Sequence, residues 1–286
     1  VVIISREVAE AGVVEVLDWF NRDAETRGDI HIFVSSEKTA KEILTTKGLT
    51  GEATAFLLDD MLINEKFLSD APHVEIWRFT NTMTAKGVGS IAAAIDLKQV
   101  GGEKKPHIMG TAIFKHDKFL DFIDGDETKD MLFVQNNIKG GVLSVEVNIN
   151  NSDLMVSLEI LKNKTKIEPV IKNGEIEMNV KVETITAIDE IAGTQDIIED
   201  ENRKRLEETA EKMLKNSIEK TIKKVQMEFG VDIFGFGVKL REKKPKVWNT
   251  VADNWADTFK ALKVNVETKV HVKNSAMLSK TLEVGD

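Results

Sequence analysis

The chain has no cysteine, which excludes disulfides, thiolate metal sites and cysteine nucleophiles within it. The absence does not fix a compartment, because exported domains also do without cysteine. No apolar run approaches the roughly 20 residues that a membrane-crossing helix needs. There is no excess of positive charge either: 39 Lys and Arg stand against 48 Asp and Glu, a net charge of −9. Adhesion to nucleic acid or to an anionic bilayer is therefore disfavoured overall. The densest basic cluster, Arg241, Lys243, Lys244 and Lys246, reads as a solvated loop. No internal repeat or low-complexity tract is present. An initiator Met is also missing, and the chain opens on Val1-Val2-Ile3-Ile4. An uncapped apolar run of this kind is expected to be an interior strand, with part of its sheet supplied by preceding sequence.

The 286 residues, 42% hydrophobic and 30% charged, suit a folded mixed protein of two domains. The chain is organised around residues 195–259. A helix of about 30 residues, roughly 45 Å long, carries Leu206, Ala210, Met213, Leu214, Ile218, Ile222 and Val225 in steps of three and four. Those steps place them on one stripe. Glu199, Asp200 and Glu201 near its start and Lys220, Lys223 and Lys224 near its end suit the helix dipole. After Val231-Asp232-Ile233-Phe234-Gly235-Phe236-Gly237, a second helix is expected to carry Trp248, Trp255 and Phe259.

Residues 1–105 read as an N-terminal α/β region lacking its native first segment. Strands are expected at 1–4 and 29–34, and helices through Val8 to Phe20, at 39–44, 52–67 and 84–96. Phe56, Leu57, Met61 and Leu62 are core candidates, and 74–79 is ambiguous. Gly101-Gly102-Glu103-Lys104-Lys105-Pro106 marks a boundary. Beyond it, 106–286 reads as a C-terminal α+β domain, of which 106–140 is a candidate small subdomain. Strands at 108–115 and 118–123 flank His116-Asp117. Val145, Val147 and Ile149, then Leu154 to Ile160, Ile176 to Val182 and Val264 to Val272, alternate apolar with polar residues. Turns are expected at 150–153 and at Asn173-Gly174. This is the pattern of an antiparallel sheet wet on one face, with the long helix as cover. The fold class is α+β, mixed and multidomain.

Catalytic chemistry is not legible. His31, His73, His107, His116 and His271 are scattered, with no helical metal-binding pair, and read as structural or surface residues. Lys86-Gly87-Val88-Gly89-Ser90 and Gly235-Phe236-Gly237 lack the spacing of phosphate loops. For Gly235 and Gly237 the reading is backbone geometry closed to other residues. Asp124-Gly125-Asp126-Glu127 lacks the order of a calcium loop and reads as a turn into a helix capped by Asp126 or Thr128. Ser5, Ser90 and Ser144 have no nucleophile-elbow context. Trp248 and Trp255, seven apart, are assigned to core packing. No catalytic, cofactor-binding or metal residue and no cofactor is assigned.

The run Asp232 to Gly237, then Pro245-Lys246-Val247-Trp248, Trp255-Ala256-Asp257-Thr258-Phe259 and Val264-Asn265-Val266, resembles the Ger(x)C family of spore germinant receptor C subunits. Gly110-Thr111-Ala112-Ile113-Phe114-Lys115 with Lys118-Phe119, Glu127-Thr128, residues 17–23 and Ile32-Phe33-Val34 carry the resemblance through the rest of the chain. The family's lipobox cysteine and first segment are absent, and its glycine after the last strand is not evident near Asn274-Ser275. The resemblance implies a non-enzymatic lipoprotein on the outer face of the inner spore membrane, held by a lipidated N-terminal cysteine not present in this chain. It implies contact with the membrane-spanning A and B receptor subunits, and no nucleic acid. It transfers no catalytic or ligand residue. A small-molecule binder of nutrient germinants is the alternative, and an enzyme with a discontinuous site the third class.

Overall fold

The computed structural model describes residues 1–23, 25–46, 53–149, 152–192 and 200–273. Two sheets organise them. The first has five strands in chain order: β1 (Val2–Ser5), β2 (Ile32–Ser35), β3 (Ile91–Val100), β4 (Glu103–Lys115) and β5 (Lys118–Ile123). The β1–β2 and β2–β3 pairs are parallel, and the later two are antiparallel. Within this chain β1 is a strand paired on one side, with β2. The helices between these strands are α1 (Arg6–Ala11), α2 (Val14–Arg22), α3 (Ala40–Leu44), α4 (Thr54–Asn64) and α5 (Ile76–Thr84).

Alternation along β2 settles how they pack. Ile32 and Val34 join Ala9, Leu17, Ile76 and Phe79 of α1, α2 and α5 in one cluster. Phe33 points the other way, to Ile43 of α3 and Leu58 and Leu62 of α4. The sheet is thus covered on both faces, as parallel strands require.

Several local expectations change. The first helix breaks into α1 and α2 at Gly12, whose φ is 127°. Residues 84–96 are not a helix: β3 begins at Ile91, and Ala92, Ala93, Ala94 and Ile95 are wholly buried. The alanine run has high helix propensity, but pairing on both sides overrides it. Phe56 is 69% exposed, because Leu58 and Leu62, four apart, define the buried face of α4 and Phe56 lies about 200° from Leu58. The glycine-rich boundary signal is the β3–β4 turn, with Gly101 and Gly102 at φ 59° and 84° and Val100 paired with Glu103. The division expected at residue 105 falls within β4. Residues 106–140 give most of β4, all of β5, and α6 (Gly125–Gln135).

The second sheet runs β6 (Val142–Ile149), β7 (Ser152–Lys172), β8 (Glu175–Ala192) and β9 (Lys263–Lys273). Asn173 and Gly174, at φ 51° and 83°, make the β7–β8 turn with the left-handed pair that tight hairpins favour. The sheet is mixed rather than wholly antiparallel, since β9 pairs parallel to β8. The helical crossover between them returns the chain in the same direction. That crossover starts with α7 (Asp200–Lys224), continues in a π turn over Val225–Phe229, and stops at Gly230 with φ 62°. Leu206, Ala210, Leu214, Ile218, Ile222 and Val225 bury themselves against the sheet's apolar face, and Met213 is partly buried. Helix α7 also caps the open edge of β9. Glu211 accepts the N–H of Val270 and Glu207 that of Val272, which shields hydrogen-bonding groups that an edge strand would otherwise expose. The expected helix start at Gln195, residues 47–52, Asn150-Asn151 and Asn274-Ser275 lie outside the described residues.

In place of the expected second helix there are three short ones: α8 (Phe236–Lys243), α9 (Pro245–Val251) and α10 (Trp255–Ala261). Pro245 cannot continue a helix whose preceding residue must extend. Trp248 and Trp255 therefore sit on different helices. Both are nonetheless buried, with ring centroids 5.4 Å apart.

Candidate functional site

The two halves meet where the two glycine pairs of the sequence face each other. Asp232 forms the centre. It is buried, and its Oδ1 accepts the backbone N–H groups of Phe234 at 3.0 Å and Gly235 at 2.9 Å. Its Oδ2 accepts the N–H of Gly237 at 2.7 Å and the indole N–H of Trp255 at 3.2 Å. Burial pushes the Asp232 carboxyl up to about 6 against the pull of these donors. A carboxylate with four converging N–H groups fixes a turn and needs no further partner. Gly235 supplies the φ of 81° that this turn needs, and Phe234 and Phe236 turn inward onto Phe259.

Gly237 has a different reason. A Cβ there would lie 2.5 Å from the carbonyl oxygen of Gly87 and 2.8 Å from Trp255 Nε1. Gly87, at φ 87°, faces the ring of Trp248, and Gly89 faces Val231. The N–H of Gly89 donates to the Asp232 carbonyl at 2.8 Å. The loop 86–90 is thus pressed, backbone against backbone, on the 231–237 turn. Lys86 reaches Asp253 at 2.7 Å, and Ser69 Oγ donates to the Gly140 carbonyl at 2.9 Å. Neither glycine pair is a phosphate loop: each lets the halves approach closely. The spacing showed that glycines were needed, but gave no sign that they face one another or that Asp232 anchors them.

Beside this joint lies a cleft of about 730 Å³. One wall is built from Ile63 of α4, residues 71–74 and Arg78 and Phe79 of α5, the other from Leu132 and Gln135 of α6, Ile233, Phe234 and Lys239. Its polar rim includes Glu65, His73, Arg78, Asn137, Lys139 and Lys239. Several of these groups are already engaged. Gln135 donates to the Ile233 carbonyl at 2.7 Å, Asn137 to Gln135 at 3.1 Å, and Lys239 pairs with Glu242 at 2.8 Å. Glu65, raised above its ordinary value by burial, accepts the Asp70 N–H.

The histidines do not stay scattered. His31 and His73, 42 positions apart, bring their rings within 4.3 Å beside Glu75. His107 bridges Asp96 at 2.8 Å and Lys98 at 2.9 Å, His116 holds a turn at φ 58°, and His271 lies 3.6 Å from Glu183. Asp124, rather than Asp126 or Thr128, caps α6, in a reciprocal box with Glu127. Glu127 also pairs with Lys224 of α7 at 2.7 Å. Asp130 accepts the hydroxyls of Ser217 and Thr221, both at 2.7 Å, and burial pushes its carboxyl up to about 6. Ser5 caps α1, Ser90 lies buried, donating to the Phe79 carbonyl, and Ser144 lies in β6.

Residues 109–276 match the family model described as spore germination B3/GerAC like, C-terminal, and residues 1–97 that of the spore germination protein N-terminal domain. The chain belongs to this family, the Ger(x)C family to which germinant receptor C subunits belong. Spore germination protein YndF of Bacillus subtilis (strain 168) is 27% identical over 279 residues, covering 95% of this chain and 66% of that protein. Spore germination protein B3 of the same strain is 30% identical over 172 residues, 57% of this chain and 44% of that protein. The chain thus spans less than two thirds of the length of either relative. The crystal structure of the GerBC protein shares the fold, with a TM-score of 0.72 at 22% identity over 96% of this chain and 78% of that one. Among the described residues no helix is long and apolar enough to cross a membrane.

Proposed function

We propose that this chain is the non-enzymatic C subunit of a spore germinant receptor, required for nutrient-triggered germination through contact with the membrane-spanning A and B subunits. It works on the outer face of the inner spore membrane, held there by a lipidated N-terminal cysteine that this chain does not contain. The observation that supports this reading most is the match of both family domains along one chain. The locked joint between its halves suits a rigid adaptor. Phe56 and Ile63 supply an apolar contact face: seven apart on α4, they share one side and are 69% and 42% exposed. Exposed apolar groups of this kind mark interaction surfaces when they cluster. A crosslinking map in intact spores tests the proposal; no crosslink to either membrane-spanning subunit would count against it.

The cleft supports a second reading, an extracytoplasmic binder of small nutrient germinants. A volume of about 730 Å³ is within the range of ligand sites. Calorimetric titration of the purified chain with amino acids and sugars separates the two. Saturable heat abolished by Arg78→Ala favours the binder, and its absence favours the adaptor.

A further inference from the structure

We propose that His31, His73 and Glu75 form a site for a divalent transition-metal ion of the zinc class, with Asp59 holding His31 in its ligating orientation. The backbone brings them together. His31 and Glu75 face each other in an isolated antiparallel bridge, flanked by Ile32 N–H to the Val74 carbonyl at 3.1 Å and Ile76 N–H to the Ile30 carbonyl at 2.9 Å. His73 lies two residues before Glu75, hence on the same side of an extended segment. One ligand atom from each of the three lies within 4.8 Å of the others. Around an ion with bonds near 2.1 Å and tetrahedral angles, ligand atoms stand about 3.4 Å apart. Closing the cluster therefore takes little more than about 1 Å, within reach of a small rotation of the half-exposed His73 side chain.

Two further observations point to a cation. Glu75 Oε2 is buried with no hydrogen-bond partner among the described residues, and a buried carboxylate oxygen left unmatched is costly. A bound cation would satisfy it. His31 Nδ1 lies 2.6 Å from Asp59 Oδ1, which leaves Nε2 as the ring atom to meet an ion, the carboxylate–histidine–metal relation that orients metal ligands. The charge of Arg78 acts on His73 and opposes a cation, but two carboxylates outweigh it. Two imidazoles and one carboxylate, without thiolate, are a zinc donor set with an open fourth position. Calcium prefers oxygen alone. A bound ion would fasten His31, just before β2, to His73 within residues 71–74, one wall of the cleft.

The test titrates zinc chloride into the untagged chain by calorimetry and follows cobalt(II) by its visible absorption. One ion per chain is expected. His73→Ala and Glu75→Gln should weaken binding at least about tenfold, and Asp59→Asn about ten- to a hundredfold. The side chains of His73 and Asp59 are 48% and 42% exposed, so those variants should melt like the parent. His116→Ala and His271→Ala should bind as the parent does. No stoichiometric binding overturns the proposal. Full affinity in His73→Ala and Asp59→Asn overturns it too, because the ion would then sit elsewhere.

Discussion

Replacing Gly237 by alanine adds one methyl group where the two halves touch. That Cβ would stand 2.5 Å from Gly87 O, 2.8 Å from Gly87 Cα and 2.8 Å from Trp255 Nε1. None of these belongs to a flexible side-chain end: two are backbone and the third is a buried ring. Relief requires the 86–90 loop to withdraw, which strains the Gly89 N–H bond to the Asp232 carbonyl. Overpacking of this kind costs about 1–3 kcal/mol. Gly235 offers a contrast: among the described residues nothing lies within 4 Å of its Cβ position, but its φ is 81°. Gly235→Ala should cost about 1 kcal/mol through backbone strain. Gly235→Asn should recover part of that loss, because asparagine tolerates the left-handed region. Gly237→Asn should be worse than Gly237→Ala. Urea melts of the four variants, followed by tryptophan fluorescence and circular dichroism, read the order. Wild-type stability for Gly237→Ala, or rescue by asparagine at 237, would refute the close-approach argument.

Leu214→Ala should cost about 2–5 kcal/mol, as removal of a buried large side chain does, whereas Lys212→Glu with Lys215→Glu should stay within about 0.5 kcal/mol; thermal melting checks both, and an unchanged Leu214→Ala melt would contradict the packing. Burial raises the Asp130 carboxyl from 3.8 to about 6, so the folded state holds the proton more tightly. Its stabilisation is full below about pH 4 and is lost as pH rises through 6, at most about 3 kcal/mol over the window. Asp232 is raised over the same window, so the readout is the stability of the parent minus that of Asp130→Asn, which should fall as pH rises from 4 to 7.5 and would stay flat if Asp130 titrated normally. Removing the Trp255 indole by Trp255→Phe takes one donor from the buried Asp232 and should cost about 1–3 kcal/mol, checked by the same urea melts.

The long helix, the alternating strands and the buried tryptophans were legible because each rests on a local period or a bulky apolar residue. The stripe from Leu206 to Val225 illustrates this: helical spacing alone assigns its face. Ala92, Ala93 and Ala94 misled for the converse reason, since neighbours on both sides decide a central strand and alanine's own preference is helical. Glycines gave their need without their cause. Gly235 serves a dihedral and Gly237 serves Gly87, 150 positions earlier, a relation no local pattern encodes. The same holds for His31 and His73, which the isolated bridge between His31 and Glu75 places together, and for Asp232, whose four donors come from the fold of residues 234–255.

The contact claim is tested most directly by a photo-crosslinking amino acid placed at Phe56 in germinating spores. The exposed α4 face should capture a membrane-spanning receptor subunit, and the same probe at Met155, exposed on the second sheet, should capture neither. A Phe56→Asp variant should keep its melting temperature yet lose co-purification with the receptor and slow nutrient-triggered germination. Normal co-purification and germination with no crosslink at position 56 would contradict the account.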